Sequence, residues 1–118
     1  MHIEQFREFC LSKKGVTESF PFDKDILVFK VLNKMFVLTS LSSEQFKVSL
    51  KCDPEKAIEL REQYESIIPA FHMNKKHWNS INIEVLMNDK LFIKLVNHSY
   101  ELVIKGMTKK DRLLLETM

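Results

Sequence analysis

Hydrophobic and polar positions alternate without exception between Gln45 and Lys51. Phe46, Val48 and Leu50 are apolar, and each residue between them is polar. Because successive side chains of a strand point to opposite faces, this alternation predicts a strand with one buried and one solvated face. Such strands are typical of an antiparallel sheet that is covered on one side.

A hairpin is predicted immediately upstream. Residues 25–31 and 34–39 are rich in β-branched and aromatic side chains, and Asn33-Lys34 suits a two-residue turn because asparagine tolerates positive φ. This turn would place Lys30 opposite Val37. The apolar side chains expected on the core face of the hairpin are Leu27, Phe29, Val31, Phe36 and Leu38. The polar side chains expected on the outer face of the three strands are Lys30, Thr39, Lys47, Ser49 and Lys51.

Helical spacing of apolar residues predicts four helices. The first covers residues 2–14. Capping residues mark the starts of the other three, at Asp53, at Asn88 or Asp89, and at Thr108.

Two more short strands are expected, one at Ile67-Ile68 and one within residues 78–86, whereas Ser19-Phe20-Pro21-Phe22 is expected to be an extended apolar connector. The pattern as a whole predicts a two-layer α+β fold. Its antiparallel sheet would have about five strands with the helices on one face, in the order α-β-β-β-α-β-β-α(-α).

The composition favours one ordinary globular domain over residues 1–118. Hydrophobic residues make up 45% and charged residues 29%, so a chain of this length can bury a core without disulfides or metals. It has no apolar run near the roughly 20 residues of a membrane span, and its start lacks the features of a signal peptide. We therefore expect no membrane contact and a cytoplasmic location. There, Cys10 and Cys52 would be thiols that pack in the core.

Positive charge is concentrated in two parts of the chain, although the formal net charge is only +2. Residues 26–52 contain four lysines and one glutamate, and residues 66–83 contain two lysines and no carboxylate. The rest of the chain is acidic, with five carboxylates between Asp53 and Glu65. This division indicates a surface for an anionic partner.

Residues 70–78 are the most concentrated part of this pattern. They hold two lysines, two histidines, an asparagine and the only tryptophan of the chain. Lys75 and Lys76 would neutralise phosphates, and Trp78 would stack on an unpaired base. The alternative interpretation is a buried Trp78 ring beside two solvated lysines. The candidate nucleic-acid-binding residues are Lys30, Lys47, Lys51, Lys75, Lys76, His77 and Trp78.

The order of these motifs resembles the MmcQ/YjbR family over essentially the whole chain. The most specific part is His72-Met73-Asn74-Lys75-Lys76-His77-Trp78, and Asn33 stands where a glycine is expected in the hairpin. The single residues that carry the resemblance are Pro21, Phe22, Lys34, Phe36, His72, Asn74, Ser99 and Tyr100. The resemblance implies a two-layer α+β fold similar to secretion chaperones and to CyaY. It also implies DNA binding through a double-wing arrangement.

The sequence carries no catalytic or metal-binding motif. No G-x-S-x-G surrounds Ser99, whose hydroxyl is expected to bond to the preceding helical turn. His72 and His77 have no carboxylate near them, so a metal site is not expected. With two glycines in the chain there is no phosphate loop or dinucleotide fingerprint. We therefore expect no cofactor and no catalytic residue.

Three functions are compatible with the sequence. The first is a non-enzymatic protein that binds DNA through the basic sheet face and residues 72–78. The second is a protein-interaction or chaperone-like adaptor that uses the connector at residues 19–22 or the sheet face. The third is a small-molecule binder or enzyme, which needs one pocket that holds at least three of the side chains of His72, Asn74, His77 and Ser99.

Overall fold

The computed structural model describes residues 1–118, which form six strands and five helices. The helices are α1 (Ile3–Leu11), α2 (Pro54–Gln63), α3 (Ile83–Leu86), α4 (Asp89–Lys105) and α5 (Lys109–Glu116). The strands are β1 (Val16–Ser19), β2 (Ile26–Val31), β3 (Lys34–Ser40), β4 (Lys47–Lys51), β5 (Ile67–Pro69) and β6 (Trp78–Asn82). All neighbouring strands are antiparallel, in the order β1-β2-β3-β4-β6-β5.

The helices pack against one side of the sheet, which confirms the predicted α+β class. α4 packs on β2, β3 and β4, while α1 packs on β1 and α2 packs on β5. We call this side the helix face and the other side the open face. The sheet has six strands rather than about five because residues 16–19 form an edge strand. Those four residues are too few to show a period in the sequence.

The last predicted strand is shorter than expected. β6 ends at Asn82, and the residues after it form the single helical turn α3. The Asn82 side chain explains the change, because its Oδ1 accepts a hydrogen bond from the backbone N–H of Val85 at 3.2 Å and caps the turn.

Cross-strand pairing defines which side chains share a face. One row on the helix face includes Phe29, Val37, Leu50 and Asn79. The neighbouring row on the open face consists of Ser19, Val28, Leu38, Ser49, Ser80 and Ile68.

The predicted hairpin is present, but its turn lies one residue earlier than predicted. Leu32 and Asn33 occupy the turn, with φ angles of 45° and 69°. Positive φ at both central positions is typical of the type I′ turn, whose twist matches that of the strands. Asparagine tolerates this backbone, whereas leucine adopts it rarely.

A β-bulge follows the turn and changes the register. Pairing steps from Lys30–Met35 to Phe29–Val37, so that Phe36 is the extra residue on β3. The predicted pairing of Lys30 with Val37 is therefore wrong. Phe36 remains fully buried, as predicted.

The changed register also exchanges the faces of Leu38 and Thr39. Leu38, expected in the core, lies on the open face opposite Val28. Thr39, expected outside, is buried and donates a hydrogen bond from Oγ1 to the carbonyl oxygen of Lys47 at 2.8 Å. A threonine satisfied in this way can occupy a core position at little cost.

The core between the layers is centred on a group of phenylalanines. The Phe6 ring lies 5.2 Å from that of Phe92, 5.5 Å from that of Phe46 and 5.9 Å from that of Phe29. These rings join α1, α4, β2 and the approach to β4 into one apolar cluster, and burial of this kind is the main favourable term in folding.

The predicted helix starts are confirmed at Asp53, Asn88 and Thr108. Each of these side chains accepts a hydrogen bond from a backbone N–H in the first turn of its helix. None of the five helices combines the length and the apolar character that crossing a bilayer requires.

Candidate nucleic-acid interface

The loop at residues 70–77 is shaped by its own backbone and by Asn74. The Asn74 Oδ1 accepts from the N–H of Lys76 at 3.0 Å, and its carbonyl oxygen accepts from the N–H of His77 at 3.1 Å. This Asx-type turn leaves the side chains of Lys75 and Lys76 exposed to solvent.

Arg61 of α2 anchors the same loop from the helix face. Its Nε donates to Asn79 Oδ1 at 2.6 Å, and its Nη2 donates to the carbonyl oxygens of Lys75 and Trp78. Asn79 in turn donates from Nδ2 to the carbonyl oxygen of Ala57 at 3.3 Å. Nothing in the sequence spacing of Arg61 shows that it reaches a loop of a different layer.

The Trp78 ring is buried, with only 8% of the residue exposed. It lines a cleft of about 420 Å³ together with Lys51, Asn74 and His77. Burial to this extent agrees with the alternative interpretation, a buried Trp78 ring beside two solvated lysines. The exposed aromatic ring of the loop is Phe71, and the Lys75 Nζ lies 5.2 Å from its centroid.

Lys30 and Lys51 lie at the same end of the open face. Phe29 and Leu50 lie in one cross-strand row. Lys30 follows Phe29 on β2 and Lys51 follows Leu50 on β4, so both lysines lie one position beyond that row on the same side. Their backbones are two strand spacings apart, about 10 Å. Lys51 is also paired with Trp78, so it lies where the 70–77 loop enters the sheet.

We call the surface formed by Lys30, Lys51, Lys75, Lys76 and His77 the basic end. Lys47 is not part of it. Lys47 also lies on the open face, but four residues from Lys51 along β4 and therefore about 13 Å away. The lysines predicted as one strip are thus divided between the two ends of the sheet.

None of these lysines is paired with a carboxylate. The molecule contains two ion pairs, one between the Met1 amino group and Asp89 and one between Arg7 and Glu18. Asp53 is the one acidic residue that lines the cleft at the basic end. Its Oδ2 accepts from the N–H of Lys56 at 3.3 Å, as the cap of α2.

Comparisons with known proteins decide the family. The model of the YjbR family matches residues 11–102, which is most of the chain. This chain belongs to the YjbR family. The Escherichia coli O157:H7 protein YbdF is 35% identical over 92% of this chain and 89% of its own length. YjbR of Escherichia coli K12 is 30% identical over 98% of both chains.

Solved structures support the same assignment. The crystal structure of Deinococcus radiodurans DR2400, described with the domain DUF419, matches with a TM-score of 0.89 at 39% identity, over 97% of this chain and 87% of its own. A Pseudomonas syringae protein matches with a TM-score of 0.73 at 26% identity, over 87% of this chain and 99% of its own. YbdF and YjbR are both described as uncharacterized, so the family assignment brings no activity with it.

Ser99 of this YjbR-family chain connects α4 to the sheet. It is fully buried, and its Oγ donates to the carbonyl oxygen of Phe36 at 2.6 Å and accepts from the N–H of Lys51 at 3.0 Å. Phe36 and Lys51 lie next to the Val37–Leu50 pair of the β3–β4 ladder, at the point where the bulge interrupts the pairing. The prediction that Ser99 bonds to its own helix is therefore wrong.

Tyr100 fastens the other side of α4. Its hydroxyl donates to the carbonyl oxygen of Lys14 at 2.6 Å, and its ring meets that of Phe36 edge-on at 5.5 Å. Burial raises the pKa of the Tyr100 hydroxyl. Of the remaining residues of the resemblance, Pro21 and Phe22 are exposed in the connection before β2, and Lys34 is exposed at the first position of β3.

His98 joins the start of α2 to α4. Its Nε2 accepts from the N–H of Asp53 at 3.2 Å, which requires the neutral ring. Burial lowers the pKa of His98, and the nearby Lys56 lowers it further. The sequence reasoning missed this residue, because one histidine on a helix gives no signal of its partner.

The side chains required for a small-molecule site do not meet in one place. His72 lies on the open face, Asn74 and His77 line the cleft at the basic end, and Ser99 is buried between the layers. No group of three or more histidine, cysteine, aspartate or glutamate side chains is arranged to hold a metal ion. The requirement that at least three of the four share one pocket is not met.

Proposed function

We propose that this YjbR-family chain is a non-enzymatic binding protein that contacts DNA with the basic end. The observation that supports it is the arrangement of four lysines around one end of the sheet with no carboxylate partner. A charge that is unpaired in the free protein keeps its full attraction for a phosphate.

The loop brings its charges to the partner at a small entropic cost. Arg61 holds the backbone at Lys75 and Trp78, and Asn74 fixes the turn between them. Only the lysine side chains must be ordered on binding, so less conformational entropy is lost than with a free loop. The buried Trp78 ring favours contacts with the phosphate backbone over stacking on bases.

Contacts to phosphates predict strong salt dependence and little sequence preference. If the four lysines of the basic end each neutralise one phosphate, the logarithm of affinity for duplex DNA should fall against the logarithm of salt with a slope of roughly −4. Loss of two lysines should make that slope about two units shallower.

The test is fluorescence anisotropy with labelled duplex and single-stranded DNA at several salt concentrations. The variant Lys75→Glu with Lys76→Glu should bind at least tenfold more weakly at low salt, with the shallower slope. The matched control is Lys90→Glu with Lys94→Glu, because both residues are exposed on α4 in the helix layer. The control changes the net charge equally but leaves the basic end intact.

Two results would contradict the proposal. One is wild-type affinity weaker than about millimolar at low salt, which is below ordinary non-specific binding. The other is an equal loss of affinity in both double variants, since net charge alone would then account for the binding.

A further inference from the structure

The centre of the open face contains a groove that runs along the strands. In the row that crosses it, Leu38 and Ile68 lie at the sides, and Ser49 and Ser80 lie between them. The two outer residues are three strand spacings apart, about 14 Å between backbones. Since the serines between them are small, the floor of the groove is lower than its sides.

The 70–73 segment makes one side of the groove higher. Phe71, His72 and Met73 line it, and the volume of the open groove is about 460 Å³. Phe71 is 65% exposed and Ile68 is 44% exposed, although both belong to the border of this concave surface. Large apolar side chains that stay exposed around a concavity are typical of a surface that binds a partner.

The lining of the groove contains one lysine and no carboxylate. None of its thirteen lining residues is acidic, whereas Lys47 lies at one end and His72 on the wall. Lys47 is exposed and has no carboxylate partner. Four serines, Ser40, Ser43, Ser49 and Ser80, add hydroxyl groups that can donate or accept hydrogen bonds.

From these observations we propose that the open-face groove binds a short acidic-apolar segment of a protein partner. Apolar side chains of the segment would lie over Ser49 and Ser80 between Leu38 and Ile68. A carboxylate of the segment would pair with Lys47, and its polar groups would bond to the serine hydroxyls. This gives the adaptor function expected from the sequence a specific surface and a specific class of partner.

The groove is separate from the basic end. Lys47 lies about 13 Å along β4 from Lys51, and Lys75 and Lys76 do not line the groove. The two proposals therefore predict that different variants lose binding, and either proposal can be contradicted while the other stands.

The experiment is a selection from a displayed library of random peptides of about twelve residues on the immobilised full chain. Peptides that are enriched in aspartate or glutamate together with leucine, isoleucine or phenylalanine are expected. A synthetic copy of the strongest binder, labelled with a fluorophore, then serves as the probe in anisotropy titrations. Lys47→Glu should weaken its binding by roughly fivefold or more, the scale of an exposed ion pair replaced by repulsion.

Ser80→Phe fills the floor of the groove and should weaken the same peptide more than tenfold. The matched control is Lys94→Glu, which changes the net charge as Lys47→Glu does but lies on α4 in the helix layer, and it should leave peptide affinity within about twofold. Circular dichroism and denaturant unfolding of each variant show that the fold is retained, and Lys47→Glu carries the test if Ser80→Phe does not fold.

Three results would overturn the proposal. The first is a selection without enrichment, or one that enriches basic peptides. The second is a peptide whose affinity does not respond to Lys47→Glu. The third is concentration-dependent self-association that Lys47→Glu abolishes. The groove would then bind a second copy of this chain, through the acidic surface on α2, and not a different protein.

Discussion

At the scale of single residues, Ser99 replaces part of a β-ladder. The bulge at Phe36 separates a carbonyl group of β3 from an N–H group of β4, and the Ser99 hydroxyl bonds to both. A buried backbone group without a partner is costly, so the Ser99 hydroxyl stabilises the fold by giving a hydrogen-bond partner to two backbone groups of the sheet. The same reasoning explains why a serine lies on the apolar stripe of α4.

Ser99→Ala should therefore lower the free energy of unfolding by about 2 kcal/mol or more, because both backbone groups lose their partner. The measurement is denaturant unfolding followed by circular dichroism. Ser43→Ala is the matched control, since Ser43 is exposed, and it should change stability by less than about 0.5 kcal/mol. Equal stability of the two variants would show that the bridge contributes little.

At the scale of elements, the β2–β3 hairpin is determined by its turn and its bulge together. Leu32 and Asn33 both have positive φ, and the bulge at Phe36 then places Val37 and Thr39 on the helix face and Leu38 on the open face. Asparagine reduces the strain of its position but does not remove it, because only glycine adopts positive φ freely.

Asn33→Ala should destabilise the protein by about 1 kcal/mol, because alanine pays the full steric cost of the left-handed backbone. Asn33→Gly should keep or raise stability. Lys34→Ala, at the next and equally exposed position, is the control for loss of a surface side chain. Thermal and denaturant unfolding of the three variants should rank Asn33→Ala lowest, and a lower stability for Asn33→Gly than for Asn33→Ala would contradict the turn.

At the scale of the whole molecule, the sheet separates a core from a binding surface. The helix face and the helices share one cluster of buried apolar residues that includes Cys10 and Cys52. The open face carries lysines at its ends and serines with apolar borders between them. Both proposals use the open face and its edge, because the helices leave only that side of the sheet free.

Burial in the shared core raises the pKa of Cys10 to about 12 and that of Cys52 to about 11. At mildly alkaline pH both thiols of the native protein should therefore react with a thiol reagent roughly a hundredfold or more slowly than in denaturant, because the thiolate is the reactive form. The rate is followed by absorbance of the released chromophore. A surface thiol introduced by Ser12→Cys is the control, and a native Cys52 that reacts as fast as this thiol would contradict the burial.

Sequence patterns alone predict the fold class, most of the elements, the helix caps at Asp53, Asn88 and Thr108, and the alternation in β4. These features depend on local periodicity and local hydrogen bonds, which a few neighbouring residues encode. The candidate lysines were also visible in the sequence, but their division into the basic end and Lys47 was not.

Four features are visible only in the folded molecule: the register of β3, the bond from Ser99 to two strands, the anchor from Arg61 to the 70–77 loop and the groove on the open face. Each of these joins residues far apart in the chain, so its geometry depends on how the layers pack. A shift of one residue in a strand exchanges its faces without changing its composition, which is why the sequence pattern predicts the wrong faces for Leu38 and Thr39.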